Sequence, residues 1–200
     1  MRVGILGAGR MGGAAARVLT RAGYEVLIAN RRGRVSLSPL VDEIGSGVVP
    51  ANAAEAAGAP IVLLAVPYGA VEELLEEVGP LPASTVLIDA TNAWSGWEAL
   101  AGEAGSSEAV ARMAGGARVV KALNTVHANR LAAPDGLGVP LAGDDPDARA
   151  TVARLLERVG FRPVEIPSLR AAADLMAPNG PLFGLTLEEP ALRDAISPSS

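Results

Sequence analysis

One glycine-rich segment near the N-terminus constrains the fold more than any other feature of the chain. Gly7, Gly9 and Gly12 follow an apolar run, Arg2–Leu6, and precede a segment whose apolar side chains recur at helical spacing. The run predicts a buried strand, and the spacing predicts a helix that ends at Gly23. A G-x-G-x-x-G motif between a strand and a helix is typical of a turn that binds dinucleotide phosphates. A purely structural glycine turn is the alternative.

Apolar runs and helical periods alternate along the rest of the chain. This alternation predicts parallel βαβ units, and so an α/β fold with a doubly wound, mainly parallel Rossmann sheet. Residues 1–168 are expected to form the nucleotide-binding domain, and residues 169–200 a short C-terminal extension of it whose last ten residues are loosely ordered. Further strands are predicted at Glu25–Ala29, 48–49, 61–66, 85–88, Arg118–Ala122, 139–142 and 164–166.

Two of the predicted helices lie late in the chain. Residues 107–113 are expected to be helical, within a stretch rich in Gly, Ser and Ala. A longer helix is clearly signalled by Asp145 as N-cap, Pro146 in the first turn and Gly160 as terminator.

Charge and composition exclude several classes of partner. The chain has 200 residues, a net charge of −5 and no cysteine. A negative net charge disfavours nucleic acid and anionic membranes, and glycines interrupt the only apolar N-terminal run long before it could span a bilayer. The lack of cysteine excludes disulfides and thiolate metal sites, and no metal site is predicted. These features are compatible with a reducing compartment, and we expect a cytoplasmic protein.

The end of the second strand predicts which dinucleotide binds. An NAD site has an acidic residue there that binds the ribose 2′-hydroxyl, whereas this chain has Asn30, Arg31, Arg32 and Arg34. Asn30 can form hydrogen bonds without repelling a phosphate, and Arg31 can form charge-assisted hydrogen bonds to a 2′-phosphate. Arg32, Arg34 and Ser36 are expected to assist. The segment therefore favours NADP(H), with a solvated basic loop as the alternative.

Later strand ends supply further candidate residues, because ligands of doubly wound sheets lie over the carboxyl ends of the strands. Thr91, Asn92, Asn124 and Thr125 are predicted to bind the nicotinamide carboxamide and ribose, unless they only satisfy local backbone groups. The complete predicted cofactor set is Gly7, Gly9, Arg10, Met11, Gly12, Asn30, Arg31, Arg32, Arg34, Ala65, Val66, Pro67, Ala90, Thr91, Asn92, Asn124 and Thr125.

The reactive end of the site is less strongly signalled. His127 is the only histidine and follows Asn124 closely, so both are candidate catalytic residues, although a loop histidine is often incidental. Lys121 is a weaker candidate, because a lysine at a strand end often reaches solvent. Arg170, Met176 and Phe183 are predicted to border the second substrate, because the tail is the only chain left to cover the nicotinamide. A dimer interface is the alternative use of these apolar residues.

Taken together, these motifs resemble those of the NADPH-dependent reductases of the deazaflavin coenzyme F(420). The resemblance implies a Rossmann-like domain, a homodimer, and direct hydride transfer between NADPH and a second ring system. The acceptor would be F(420) or another small flavin, imine or carbonyl compound. The segments that carry the resemblance are residues 4–12, 30–33, 65–67, 89–92, 120–125, 142–145 and 160–164.

Two other functions compete with this one. A non-catalytic NADP(H)-binding sensor would need the same fold but no second pocket. A piece of a β-hydroxyacid dehydrogenase-like enzyme would need a large helical domain, for which little chain remains after residue 170.

Overall fold

The computed structural model describes residues 1–94 and 105–196. Within that part of the chain eight strands form one sheet, in the order β3-β2-β1-β4-β5-β6-β7-β8. All neighbouring strands are parallel except β6 and β7, which are antiparallel. The strands are β1 (Arg2–Leu6), β2 (Glu25–Ala29), β3 (Val48–Pro50), β4 (Ile61–Leu64), β5 (Val86–Asp89), β6 (Arg118–Ala122), β7 (Gly138–Gly143) and β8 (Arg162–Ile166).

Helices cover both faces of this sheet, so the predicted doubly wound α/β fold is confirmed. The strand order reverses between β1 and β4, and the carboxyl ends of these two strands open the crevice in which such folds bind ligands. The helices are α1 (Arg10–Arg21), α2 (Ser38–Ile44), α3 (Ala53–Ala57), α4 (Val71–Val78), α5 (Ser106–Met113), α6 (Ala128–Leu131), α7 (Pro146–Val159), α8 (Leu169–Ala172) and α9 (Glu189–Ile196).

The core has a layer on each face of the sheet because successive strand residues point to opposite sides. In β4, Ile61 and Leu63 pack toward α1 and α7, while Val62 and Leu64 pack toward α3, α4 and α5. Helix α7 begins and ends where the sequence indicates: the Asp145 side chain accepts from the Ala148 N–H at 2.6 Å, and Gly160 takes the left-handed conformation.

The segment after β8 packs into the core instead of lying loosely over it. Met176, Leu182 and Leu192 form a third apolar cluster with side chains of β7 and β8, and each is at most 2% exposed. Helix α9 corrects the prediction that the last ten residues are loosely ordered, since residues 191–196 are helical; residues 197–200 lie outside the described part of the chain. This helix was not predicted from the sequence, although Leu192 marks the face that packs against the core.

Candidate functional site: a dinucleotide crevice at the carboxyl end of the sheet

The glycine turn after β1 is shaped by two close backbone approaches. Gly7 has φ +112°, and a Cβ atom placed on it would lie 2.3 Å from the Ala65 carbonyl oxygen. A Cβ atom on Gly12 would lie 1.8 Å from the Gly7 carbonyl oxygen. Both distances are far inside van der Waals contact, so these positions need glycine for the turn and for the approach of α1 to it.

Gly9 differs from these two positions because a Cβ atom on it would meet no described atom within 4 Å. The glycine leaves open space directly before α1, whose first intrahelical bond runs from the Gly13 N–H to the Gly9 carbonyl at 2.8 Å. The N–H groups of Arg10, Met11 and Gly12 therefore have no intrahelical partner, and no acidic residue stands in the first turn. This end of the helix fits an anionic pyrophosphate. Arg10 is exposed there, whereas the Met11 side chain packs against the core.

The loop after β2 is a turn whose backbone is held by hydrogen bonds to the side chains of Asn30 and Ser36. Asn30 Oδ1 accepts from the Arg32 N–H at 2.9 Å, and the Asn30 carbonyl accepts from the Gly33 N–H at 3.2 Å. The Asn30 amide also contacts the Ser36 hydroxyl at 3.0 Å. Arg31 and Arg32 occupy the centre of this turn, and within the described residues their exposed guanidinium groups have no hydrogen-bond or ion-pair partner. The turn thus presents two free cations at the end of β2.

Arg34, unlike Arg31 and Arg32, has an ion-pair partner. Its guanidinium is therefore not free to bind a phosphate, contrary to the prediction. Its guanidinium pairs with both carboxylate oxygens of Glu55. Glu55 in turn accepts from the Asn52 N–H at 2.8 Å in the capping box of α3. Arg34 therefore ties the turn to the helix that follows β3.

Two asparagines join the ends of β5 and β6. Asn92 Nδ2 donates to the Asn124 carbonyl at 2.9 Å, and Asn124 Nδ2 donates to Asn92 Oδ1 at 3.0 Å. Asn124 Nδ2 also donates to the Met176 carbonyl at 2.7 Å, which brings the C-terminal segment to these strand ends. Asn124 is 3% exposed and follows Leu123, whose φ is +66°. The predicted site residues Asn92 and Asn124 thus lie together, but their donors are engaged with the protein.

A buried ion pair joins the same two strands, β5 and β6. Lys121 Nζ donates to Asp89 Oδ2 at 3.1 Å and to the Thr91 carbonyl at 2.6 Å. The Thr91 hydroxyl and the Ser107 hydroxyl each donate to Asp89 at 2.6 Å. Burial alone would raise the pKa of Asp89, but the charge of Lys121 and the donors from Ser107 and Thr91 outweigh it and lower that pKa. Tyr68 nearby has a raised pKa because of burial and the charge of Asp89.

This network changes the interpretation of two predicted residues. Thr91 is 2% exposed and its hydroxyl is directed to Asp89, so it shapes the strand end and offers no surface to a ligand. Lys121 is buried and paired, so the alternative that this candidate only reaches solvent is wrong. The sequence held a signal for this pair, since Asp89 is the charged residue of β5, Lys121 follows two valines in β6, and the two are direct partners in the β5–β6 register.

The C-terminal segment lines the same end of the sheet. The Gly184 N–H donates to the buried Thr125 carbonyl at 3.1 Å, and exposed His127 lies beside Gly184. Phe183 meets the half-exposed ring of Trp94 edge to face, with centroids 5.2 Å apart.

Not every predicted acceptor residue joins that surface. Met176 is 1% exposed and contributes to the core, which corrects its predicted place in the wall of an acceptor pocket. Arg170 lies on α8, with its guanidinium 3.8 Å from the Glu108 carboxylate. Trp94, by contrast, is an exposed aromatic residue of this surface that sequence reasoning did not select.

The remaining predicted contacts are small or apolar residues at strand ends. Ala65 and Val66 are half-buried, Pro67 is exposed, and Ala90 is buried, so their contribution to a ligand is through backbone and shape. In the part of the chain that the structure describes, no helix is long and apolar enough to cross a membrane. The described residues also contain no group of three His, Cys, Asp or Glu side chains that could hold a metal ion.

An open glycine turn, an uncapped helix start and a basic turn after β2 define a dinucleotide-binding Rossmann protein of the NADP type. Comparison with known proteins gives the family. The sequence model of the NADP oxidoreductases that depend on coenzyme F(420) matches residues 2–93. Residues 2–93, which carry the glycine turn and the basic turn after β2, belong to this family.

Three relatives illustrate how far the similarity extends. A hypothetical protein from Sinorhizobium meliloti has a solved structure with a TM-score of 0.86 and 34% identity, covering 94% of this chain and 96% of its own. A proposed F(420)-dependent NADP reductase from Arthrobacter sp. FB24 has a TM-score of 0.74 and 25% identity, covering 87% and 88%. The metalloreductase STEAP3 of Rattus norvegicus is 27% identical over 184 aligned positions, and the match covers 88% of this chain and 36% of that protein. The chain thus spans about a third of the length of this curated relative.

Proposed function

We propose that this protein binds NADPH and transfers a hydride between it and a small acceptor with a planar reactive group. The observation that carries the proposal is the pair of guanidinium groups, Arg31 and Arg32, that have no partner within the described residues. They lie in the turn after β2, and the last residue of β2, Ala29, accepts from the Gly7 N–H of the glycine turn at 2.9 Å. Charge-assisted hydrogen bonds to a 2′-phosphate would distinguish NADPH from NADH at this turn. The family match over residues 2–93 favours an enzyme over the sensor alternative.

Different groups of the chain would bind different parts of the cofactor along the crevice. The free N–H groups at the start of α1 would bind the pyrophosphate, with the open space at Gly9 admitting it. Arg31 and Arg32 would bind the 2′-phosphate, and Asn30 and Ser36 keep their backbone fixed. At the other end, the backbone from Ala65 to Pro67 and the loops that carry Asn92 and Asn124 would border the nicotinamide.

When bound, NADPH would supply the hydride that reduces the acceptor. The protein's part in that transfer is to hold the two rings close and to keep water away from them. Trp94 and Phe183 would form one wall for the acceptor ring, since their edge-to-face pair lies at the end of β5. His127 Nε2 would exchange a proton with those acceptors whose reduction also takes up a proton. Deazaflavin F(420), flavins, imines and carbonyl compounds all fit this chemistry.

Turnover of an acceptor panel tests the proposal. NADPH oxidation is followed at saturating cofactor with F(420), a flavin, cyclic imines and ketones as acceptors. The Phe183→Ala and Trp94→Ala variants should raise the KM for the preferred acceptor while leaving the NADPH Kd unchanged. Val49→Ala, at a similarly exposed apolar residue on β3, is the matched control. Tight NADPH binding without turnover of any acceptor would instead support a sensor.

Three further assignments are proposals. Residues 1–168 would be the NADP-binding domain, with residues 169–200 as an extension that completes its core and borders the acceptor. We also propose a homodimer in the cytoplasm, which light scattering and cell fractionation would test.

A further inference from the structure

The ion pair between Arg34 and Glu55 stands next to the turn proposed to bind the 2′-phosphate. Arg34 directly follows the turn, and the two side chains are 52% and 47% exposed. Glu55 cannot move freely toward or away from this position, because its carboxylate also accepts from the Asn52 N–H at 2.8 Å. Helix α3 therefore fixes Glu55, and Glu55 fixes Arg34.

Glu55 remains a negative charge across the physiological range. The hydrogen bond from the Asn52 N–H lowers the pKa of Glu55 most, and Arg34 lowers it further, against the opposing effect of desolvation. The turn therefore combines two free cations, Arg31 and Arg32, with one neutralised pair. Removing either partner of that pair would leave an uncompensated charge beside the 2′-phosphate.

We propose that the Arg34–Glu55 pair sets the protein's selectivity for a 2′-phosphate, an inference that rests on the proposed NADP(H) site. Glu55 draws Arg34 away from the phosphate, and Arg34 cancels the repulsion that Glu55 would otherwise exert on it. Both residues are specificity-determining without serving as direct ligands. Substitutions of the two residues should have opposite effects: Glu55→Gln should strengthen 2′-phosphate selectivity, and Arg34→Met should weaken it.

The expected changes are modest because the charges are exposed. One unit charge acting across roughly 7 Å of water-like dielectric changes an equilibrium about threefold at low salt. The change should vanish at molar salt, where the screening length is about 3 Å. A substitution that acted only by distorting the loop would show no such dependence on salt.

The experiment measures the Kd of 2′,5′-ADP and of 5′-AMP by calorimetry at low and at molar salt. The proteins compared are the unmodified chain, Glu55→Gln, Arg34→Met and the double variant. Glutamine at position 55 can still serve the capping box, so α3 is retained. Arg2→Met and Glu25→Gln are the matched controls, since Arg2 and Glu25 form a pair of equal exposure (52% and 48%) at the opposite, amino-terminal end of the strands.

We expect the ratio of AMP Kd to 2′,5′-ADP Kd to rise about threefold in Glu55→Gln, to fall about threefold in Arg34→Met, and to return near the original value in the double variant. The control variants should leave the ratio unchanged. Equal ratios in all four proteins, changes of the same sign in both single variants, or changes that persist at molar salt would overturn the inference. If the unmodified chain itself does not prefer 2′,5′-ADP, the proposed NADP(H) site fails, and the inference fails with it.

Discussion

Replacing Lys121 by methionine tests the buried ion pair between β5 and β6. Methionine is close to the shape of the lysine stem but carries no charge, so Lys121→Met leaves the fully buried Asp89 carboxylate with only the donors of Thr91 and Ser107. Two hydrogen bonds from Nζ disappear, one of them to the Thr91 carbonyl. Breaking a buried pair in this way costs about 3–5 kcal/mol of unfolding free energy. For a chain of this size such a loss lowers Tm by roughly 6–20 °C.

Urea unfolding followed by circular dichroism measures this loss at neutral pH, with Arg2→Met as a control from an exposed pair. The unfolding free energy of the control should stay within about 0.5 kcal/mol of that of the unmodified protein. The double variant Asp89→Asn, Lys121→Met removes both charges and should recover much of the loss. Recovery would show that the cost arises from the unpaired carboxylate and not from lost lysine packing.

The pH dependence supplies a second readout. Folding lowers the pKa of Asp89, so its ionised form contributes stability above the pKa of an unfolded aspartate, about 3.9. This contribution is lost as the pH falls through the lower native pKa. In Lys121→Met the effect of burial is no longer opposed by the lysine charge, so the Asp89 carboxyl should protonate at a higher pH. The difference in unfolding free energy between the variant and the unmodified protein should therefore narrow on acidification. A loss below 1 kcal/mol, or a gap that does not change with pH, would refute the reasoning.

Gly9→Val should leave the protein folded but abolish NADPH binding by filling the pyrophosphate space. Gly12→Val should instead lower Tm, because its Cβ would lie 1.8 Å from the Gly7 carbonyl oxygen. Thermal melts with and without NADPH separate the two effects, and NADPH binding that survives in a folded Gly9→Val protein would contradict the placement of the phosphates. His127→Ala should lower kcat about 100-fold or more for proton-requiring acceptors and leave the NADPH Kd unchanged. An unchanged kcat would leave His127 as the residue that precedes α6 and nothing more.

The sequence indicated the sheet well because its strands are buried on both faces and read as continuous apolar runs. The eight predicted strands correspond to the observed ones, with differences at their ends. Short helices such as α3 and α6 escaped prediction, because four or five residues are too few to show a helical period. Residues 95–104 lie outside the described part of the chain, so the fragment of the Gly/Ser/Ala-rich stretch that they contain stays unassigned.

The candidate site could be predicted where a motif determines the backbone conformation. It could be predicted less well where it depends on which side chains pair with each other. Gly7 and Gly12 follow from the motif alone, and the structure gives each a close approach that explains it. The pairing of Arg34 with Glu55 joins residues 21 positions apart and depends on how α3 packs beside β2. The burial of Met176 likewise depends on the fold of the C-terminal segment over β7 and β8. Such choices are set by tertiary contacts that local sequence patterns do not encode.

One pair of titrations tests most directly whether the turn after β2 selects NADPH. The Kd values of NADPH and NADH are measured for the unmodified protein and for Arg31→Ala, whose exposed guanidinium has no partner within the described residues. Charge-assisted bonds to a phosphate contribute about 1.5–3 kcal/mol, so Arg31→Ala should weaken NADPH binding roughly 10- to 150-fold and leave NADH binding nearly unchanged. Equal affinity of the unmodified protein for the two cofactors, or equal losses in the variant, would contradict the account.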